Sequence, residues 1–115
     1  MGMFRKFAAA AVFALTVGAF AAPARADEVA TYVLTLENDA FSPADLKIPA
    51  NQPFVLKVVN KEKAGVEIEA KDLKIEKIVA AGDEAISRVK AQKPGRYLLV
   101  NEYKEDTVKT FVVVE

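Results

Sequence analysis

Two groups of carboxylates have the residue type and spacing to hold a metal ion. Glu67 and Glu69 stand two residues apart, so on an extended strand they project from the same face. Glu102, Glu105 and Asp106 cluster in a later polar stretch. Carboxylate oxygens are hard donors and suit hard cations such as ferric iron, Mn²⁺ or Ca²⁺. The candidate metal set is therefore Glu67, Glu69 and Glu102, provided the fold brings the two groups together. A second reading fits the same residues. Glu67 and Glu69 could be the solvated face of an alternating strand, with acids near Lys63, Lys71 and Lys104 making weak surface ion pairs.

Composition removes most other chemistry. The chain has no His, no Cys and no Trp, and its two methionines are Met1 and Met3. A thiolate nucleophile, an imidazole base and the ligands of a type 1 copper centre are all missing. Ser42 precedes a proline and Ser87 lies in an alternating stretch; neither has a histidine base to activate it. Three Tyr and three Phe in residues 27–115 supply no aromatic sugar cleft. No catalytic residue and no enzyme activity are expected. Asp27-Glu28 and Asp83-Glu84 read as terminus and turn charge.

Residues 1–26 read as a secretory leader. Arg5 and Lys6 form a basic start, residues 7–20 are uncharged and apolar, and Ala24-Arg25-Ala26 offers small residues around a cleavage point before Asp27. The apolar run spans about 21 Å as a helix, short of a bilayer core of about 30 Å. The mature chain is therefore expected in the bacterial periplasm, with nothing spanning the membrane after cleavage. The formal net charge of zero conceals an asymmetry. With Arg5, Lys6 and Arg25 removed, residues 27–115 carry 13 basic and 16 acidic side chains. That mildly acidic surface makes nucleic acid a poor partner.

Strand periodicity runs through this mature part, read as one domain over residues 27–115. Residues 31–37 place Tyr32, Leu34 and Leu36 on one face, and residues 54–60 do the same with Phe54, Leu56 and Val58. Further strands are expected at 66–70, 73–80, 85–89, 97–101 and 107–115. Asn38-Asp39, Ala81-Gly82-Asp83 and Lys93-Pro94-Gly95-Arg96 supply turns. In the last of these, Gly95 is expected to take positive φ. Residues 111–114 break the alternation and are expected to pair centrally, near the sheet edge where the chain ends. Seven or eight short strands of this kind predict an all-β, antiparallel Greek-key β-sandwich, preceded by the signal-peptide helix.

Several segments together resemble a cupredoxin-like domain. Phe41-Ser42-Pro43, then a short strand at Leu46-Lys47-Ile48, then Pro49-Ala50-Asn51-Gln52-Pro53 and a strand ending in Asn60 are similar to the opening of small cupredoxins. The second half looks like the EfeO-type cupredoxin-like subgroup found beside bacterial iron-permease systems. Glu67-Ile68-Glu69, the later Glu76-Lys77, Lys93-Pro94-Gly95-Arg96-Tyr97 and Glu102-Tyr103-Lys104 carry that likeness. Lys104 stands where the subgroup often has His. The resemblance implies that the strand of Glu67 and the loop of Glu102 meet at one end of the sandwich. It further implies a periplasmic accessory protein of metal uptake, with iron as the metal. Such a protein would hold a hard cation or dock to a periplasmic or membrane iron-transport component. The alternative is a metal-free sandwich that binds a protein through a sheet edge or its Lys/Glu surface.

Overall fold

The computed structural model describes residues 28–115 and builds them into nine strands. These are β1 (Thr31–Glu37), β2 (Ala40–Ser42), β3 (Leu46–Ile48), β4 (Phe54–Asn60) and β5 (Val66–Ala70), followed by β6 (Ile75–Val79), β7 (Glu84–Val89), β8 (Gly95–Asn101) and β9 (Lys109–Val114). They form two sheets in the orders β2-β1-β4-β7 and β3-β9-β8-β5-β6. The expected leader, its cleavage point and Asp27 lie outside the described residues. Among the described residues no helix is long and apolar enough to cross a membrane.

Alternation along the strands builds the core. Leu34 and Leu36 of β1, Leu56 and Val58 of β4, Ile68 of β5, Leu99 of β8 and Val112 of β9 are almost fully buried between the sheets. Each such side chain stabilises the fold by about 1.5–3 kcal/mol relative to exposure. Phe41 of β2 joins this core. Both sheets and the core between them, as described, lie within residues 28–115.

The sandwich is all-β as its periodicity implies, but its sheets are mixed rather than antiparallel. β1 runs parallel to β4, with Leu34 opposite Val58, and β3 runs parallel to β9, with Lys47 opposite Val113. After β2 the chain crosses to the other sheet for β3 and returns as β4, which enters β1's sheet in the same direction as β1. Periodicity reports which side of a strand is buried, and that is the same for either direction.

Three local expectations also change. Strand β9 pairs on both sides, with edge strand β3 and with β8, as expected; what changes is its pattern. It alternates after all: Thr110, Val112 and Val114 are buried while Phe111 and Val113 are half-buried on the outer face. Among the described glycines only Gly82 has positive φ, at 75°. Gly95 is the first residue of β8, where an added Cβ would stand 3.3 Å from the Tyr97 ring. That ring leans back so that its hydroxyl donates to the Lys93 carbonyl at 2.7 Å. Finally, residues 71–73 form a 3₁₀ turn closed by Lys74 at φ 60°, which delays β6 to Ile75.

Asn38 and Asp39, at φ 55° and 58°, form the expected turn between β1 and β2. At the far end of β4, fully buried Asn60 ties the sheets together. Its Nδ2 lies 3.0 Å from the Ala64 and Val79 carbonyls and 3.1 Å from that of Ala80. Its Oδ1 accepts the Glu62 amide at 2.9 Å.

Candidate carboxylate site

The outer face of the five-stranded sheet gathers the acids. Across β5 and β8 the register sets Ile68 opposite Asn101 and Glu69 opposite Val100. One step further along, Glu102 falls across from Glu67. On the other flank β5 pairs with β6, with Glu67 opposite Ile78 and Glu69 opposite Glu76. Glu67 and Glu76 are therefore diagonal neighbours, a separation that long side chains span.

The resulting group is Glu67, Glu76 and Glu102, whose carboxylates each present an oxygen within 4.8 Å of the other two. Oxygens bound to one ion at about 2.0–2.6 Å lie at most about twice that distance apart, so this spacing suits a shared cation. Two residues of the sequence-derived set meet, Glu67 and Glu102. Glu69 does not join them. It stands two residues along β5, about 7 Å of strand rise away, and lines a neighbouring depression with Leu98, Val100 and Glu105. Glu76 takes the third place. The available signal was the β5–β6 hairpin, but its register depends on the 3₁₀ turn at residues 71–73 and on left-handed Lys74.

Asn101 aligns the site. It is 3% exposed, and its Oδ1 accepts two amides at 3.2 Å: that of Glu67 on β5 and that of Tyr103 in the next turn. Its own amide donates to the Val108 carbonyl at 2.9 Å. One side chain thus caps the 3₁₀ turn Glu102–Lys104 and pins it beside Glu67. The loop behind is held by the Thr107 and Val108 amides, both donating to the Lys104 carbonyl, and by Val108 buried in the core.

Electrostatics at the site follow from crowding. Partial burial raises the Glu67 pKa above the usual carboxylate value, and the nearby charge of Glu102 and hydrogen bonds and charge from Glu76 add to the rise. Among the described residues the ion pairs are Lys57–Glu84, Arg96–Asp45 and Lys104–Asp39. None involves the three clustered acids. Of the lysines expected to neutralise surface acids, Lys104 is engaged by Asp39 at 3.2 Å, while Lys63 and Lys71 enter none of these pairs.

A raised carboxyl pKa has a definite consequence for stability. The folded state binds the proton more tightly, so the contribution is fully present below the unfolded-state value and is lost as pH rises through the higher folded-state value. At neutral pH the ion-free cluster therefore opposes folding. Glu67→Gln is expected to raise the urea midpoint of residues 28–115 at pH 7, with the gain shrinking toward pH 4. A gain that persists unchanged at pH 4 would show that charge is not its source.

Comparison with known proteins places this geometry in context. Residues 8–114 match the cupredoxin-like domain family. The uncharacterized protein RP394 of Rickettsia prowazekii (strain Madrid E) is 26% identical over 88 residues, which cover 76% of this chain and 70% of that one. The metal-binding domain of the Streptococcus pneumoniae D39 Cu(I)-exporting P-type ATPase CopA, solved with Cu(I), superposes with a TM-score of 0.65. It is 17% identical, over 74% of this chain and 84% of that domain. Auracyanin B follows with a TM-score of 0.62 and 16% identity, covering 75% of this chain and 88% of its own. A Cu(I) form of an amicyanin variant gives 0.58 and 12%, over 72% and 80%. At such identities the likeness to solved structures is one of fold.

The donors differ from those of a blue-copper centre. That centre needs thiolate and imidazole, and this chain has neither Cys nor His. The clustered donors here are carboxylate oxygens. A thiolate–imidazole copper ion does not fit these residues.

Proposed function

Because the chain belongs to the cupredoxin-like domain family, we propose that it keeps a metal-associated role with different donors, holding a hard cation on Glu67, Glu76 and Glu102. One observation carries this reading: three carboxylates converge to within 4.8 Å while none of them has a Lys or Arg ion-pair partner among the described residues. An unneutralised group of this kind is stabilised by a bound cation. The leader pattern of residues 1–26 supports a periplasmic setting. The likeness of the second half to EfeO-type domains supports service to iron uptake, as a carrier or as an accessory of a transport complex. No step of that role requires catalysis by this chain.

Calorimetric titration of residues 28–115 with Ca²⁺, Mn²⁺ and ferric citrate tests the proposal. One saturable site is expected, with affinity falling about tenfold or more in Glu67→Gln, Glu76→Gln and Glu102→Gln, since each removes one charged ligand. Glu69→Gln should leave affinity within about twofold. Binding should weaken as pH falls through the raised Glu67 pKa, because the proton and the cation compete for one carboxylate. Absence of saturable binding to the unaltered protein would refute the cation site and leave a metal-free interaction module.

A further inference from the structure

Cations without acids line a hollow on the open side of the sandwich. β6 and β7 are edge strands of different sheets. The chain reverses between them at residues 80–83, where the Asp83 amide donates to the Ala80 carbonyl at 3.0 Å. Lys77 spans the gap between the two edges, its Nζ donating to the Ile86 carbonyl at 3.0 Å. On the side of Lys77 away from the turn, the edges leave a depression of about 130 Å³ lined by Leu73, Lys74, Arg88, Lys90 and Gln92. Leu73 is buried, Gln92 is half-buried, and Lys74, Arg88 and Lys90 are exposed.

The backbone, not ion pairing, places these cations. Among the described residues Lys57, Arg96 and Lys104 have acid partners, whereas Lys74, Arg88 and Lys90 enter no ion pair. Lys74 holds left-handed backbone at φ 60°, which costs a lysine more than a glycine or an asparagine. Arg88 stands opposite Val55 in the β4–β7 pair. The segment after β7 is tied twice: Gln92 Nε2 donates to the Lys90 carbonyl at 2.9 Å, and the Gln92 carbonyl accepts the Asn51 amide at 2.8 Å. Like charges around one concavity repel each other and focus a positive potential into it. An anion seated there relieves that repulsion.

From this arrangement we infer that the depression binds a phosphate group. Arginine presents a planar fork that matches two oxygens of an oxyanion, and the two lysines add point charges to the others. A hollow of this size holds about four water volumes, room for one phosphate group and too little for a whole nucleotide. The group can arrive as a free anion or as the headgroup of an acidic phospholipid. The site shares no residue with Glu67, Glu76 and Glu102, so it stands or falls separately from the cation site.

Two titrations of the protein, stripped of metal on a chelating resin, test the site and separate the sources. One uses inorganic phosphate, read by calorimetry. The other uses vesicles of equal parts phosphatidylcholine and phosphatidic acid, read by co-sedimentation. Saturable binding is expected in at least one arm, weakened as NaCl is added because the contacts are charged. A response to phosphate identifies the free anion, and a response to vesicles alone identifies the headgroup. Arg88→Gln should lower affinity about tenfold, and Arg88→Lys should fall between it and the unaltered protein because it keeps the charge and loses the fork. Lys74→Asn should weaken binding several-fold while leaving the thermal melt unchanged or higher, since asparagine accepts the left-handed backbone. No saturable binding in either arm, or binding indifferent to both Arg88→Gln and Lys74→Asn, would overturn the inference.

Discussion

Asn60→Ala is expected to lower the stability of residues 28–115 by about 3–4 kcal/mol, the largest effect of any single polar substitution considered. The Ala64, Val79 and Ala80 carbonyls lose a shared donor, and the Glu62 amide loses its acceptor. Leaving a buried polar group unpaired costs about 1–3 kcal/mol, and Val79 is buried beside the fully buried Asn60. For a domain of this size, each kcal/mol shifts the melting temperature by about 4–8 °C, so a fall of about 12–30 °C is expected in a thermal melt. Asn60→Asp sharpens the test. It keeps the oxygen that serves Glu62 but turns a second oxygen toward three carbonyls, so it should be at least as damaging. A loss below about 1 kcal/mol for either variant would mean that water satisfies these carbonyls and that Asn60 does not lock the sheets.

Asn101→Ala is expected to act on stability and on the carboxylate site together. Two amides, those of Glu67 and Tyr103, lose their acceptor, for about 2 kcal/mol. The same change releases the turn that holds Glu102 against β5, so cation affinity should fall about tenfold at a temperature where the variant remains folded. Urea unfolding and calorimetric titration on the same sample give the two readouts. A stability loss with unchanged cation affinity would show that Asn101 supports the fold without positioning Glu102.

The sites of these two effects were unequally visible in the sequence. Both asparagines stand at the ends of apolar alternating strands, and Asn60 belongs to the segment resembling the cupredoxin opening. Their partners were not visible, because they come from residues far along the chain: Val79 and Ala80 for Asn60, Glu67 for Asn101. Glu69 shows the same limit from another side. Spacing along one strand pairs it with Glu67, yet two residues of strand rise separate them by about 7 Å. Glu102 reaches Glu67 as a directly opposite neighbour, and Glu76 reaches it diagonally across the β5–β6 pair, a gap that two long side chains close.

By itself the sequence determined the all-β class, the three strands 31–37, 54–60 and 66–70, the turn at Asn38-Asp39, and the lack of thiolate and imidazole donors. Each of these rests on a period of two, a local backbone preference or a residue count, which are properties of adjacent residues. Only the tertiary structure decided that β1 and β4 run parallel and that Glu76 rather than Glu69 completes the carboxylate group. Those follow from register between strands distant in the chain, set by a 3₁₀ turn, a left-handed lysine and the return of β4 to the sheet of β1.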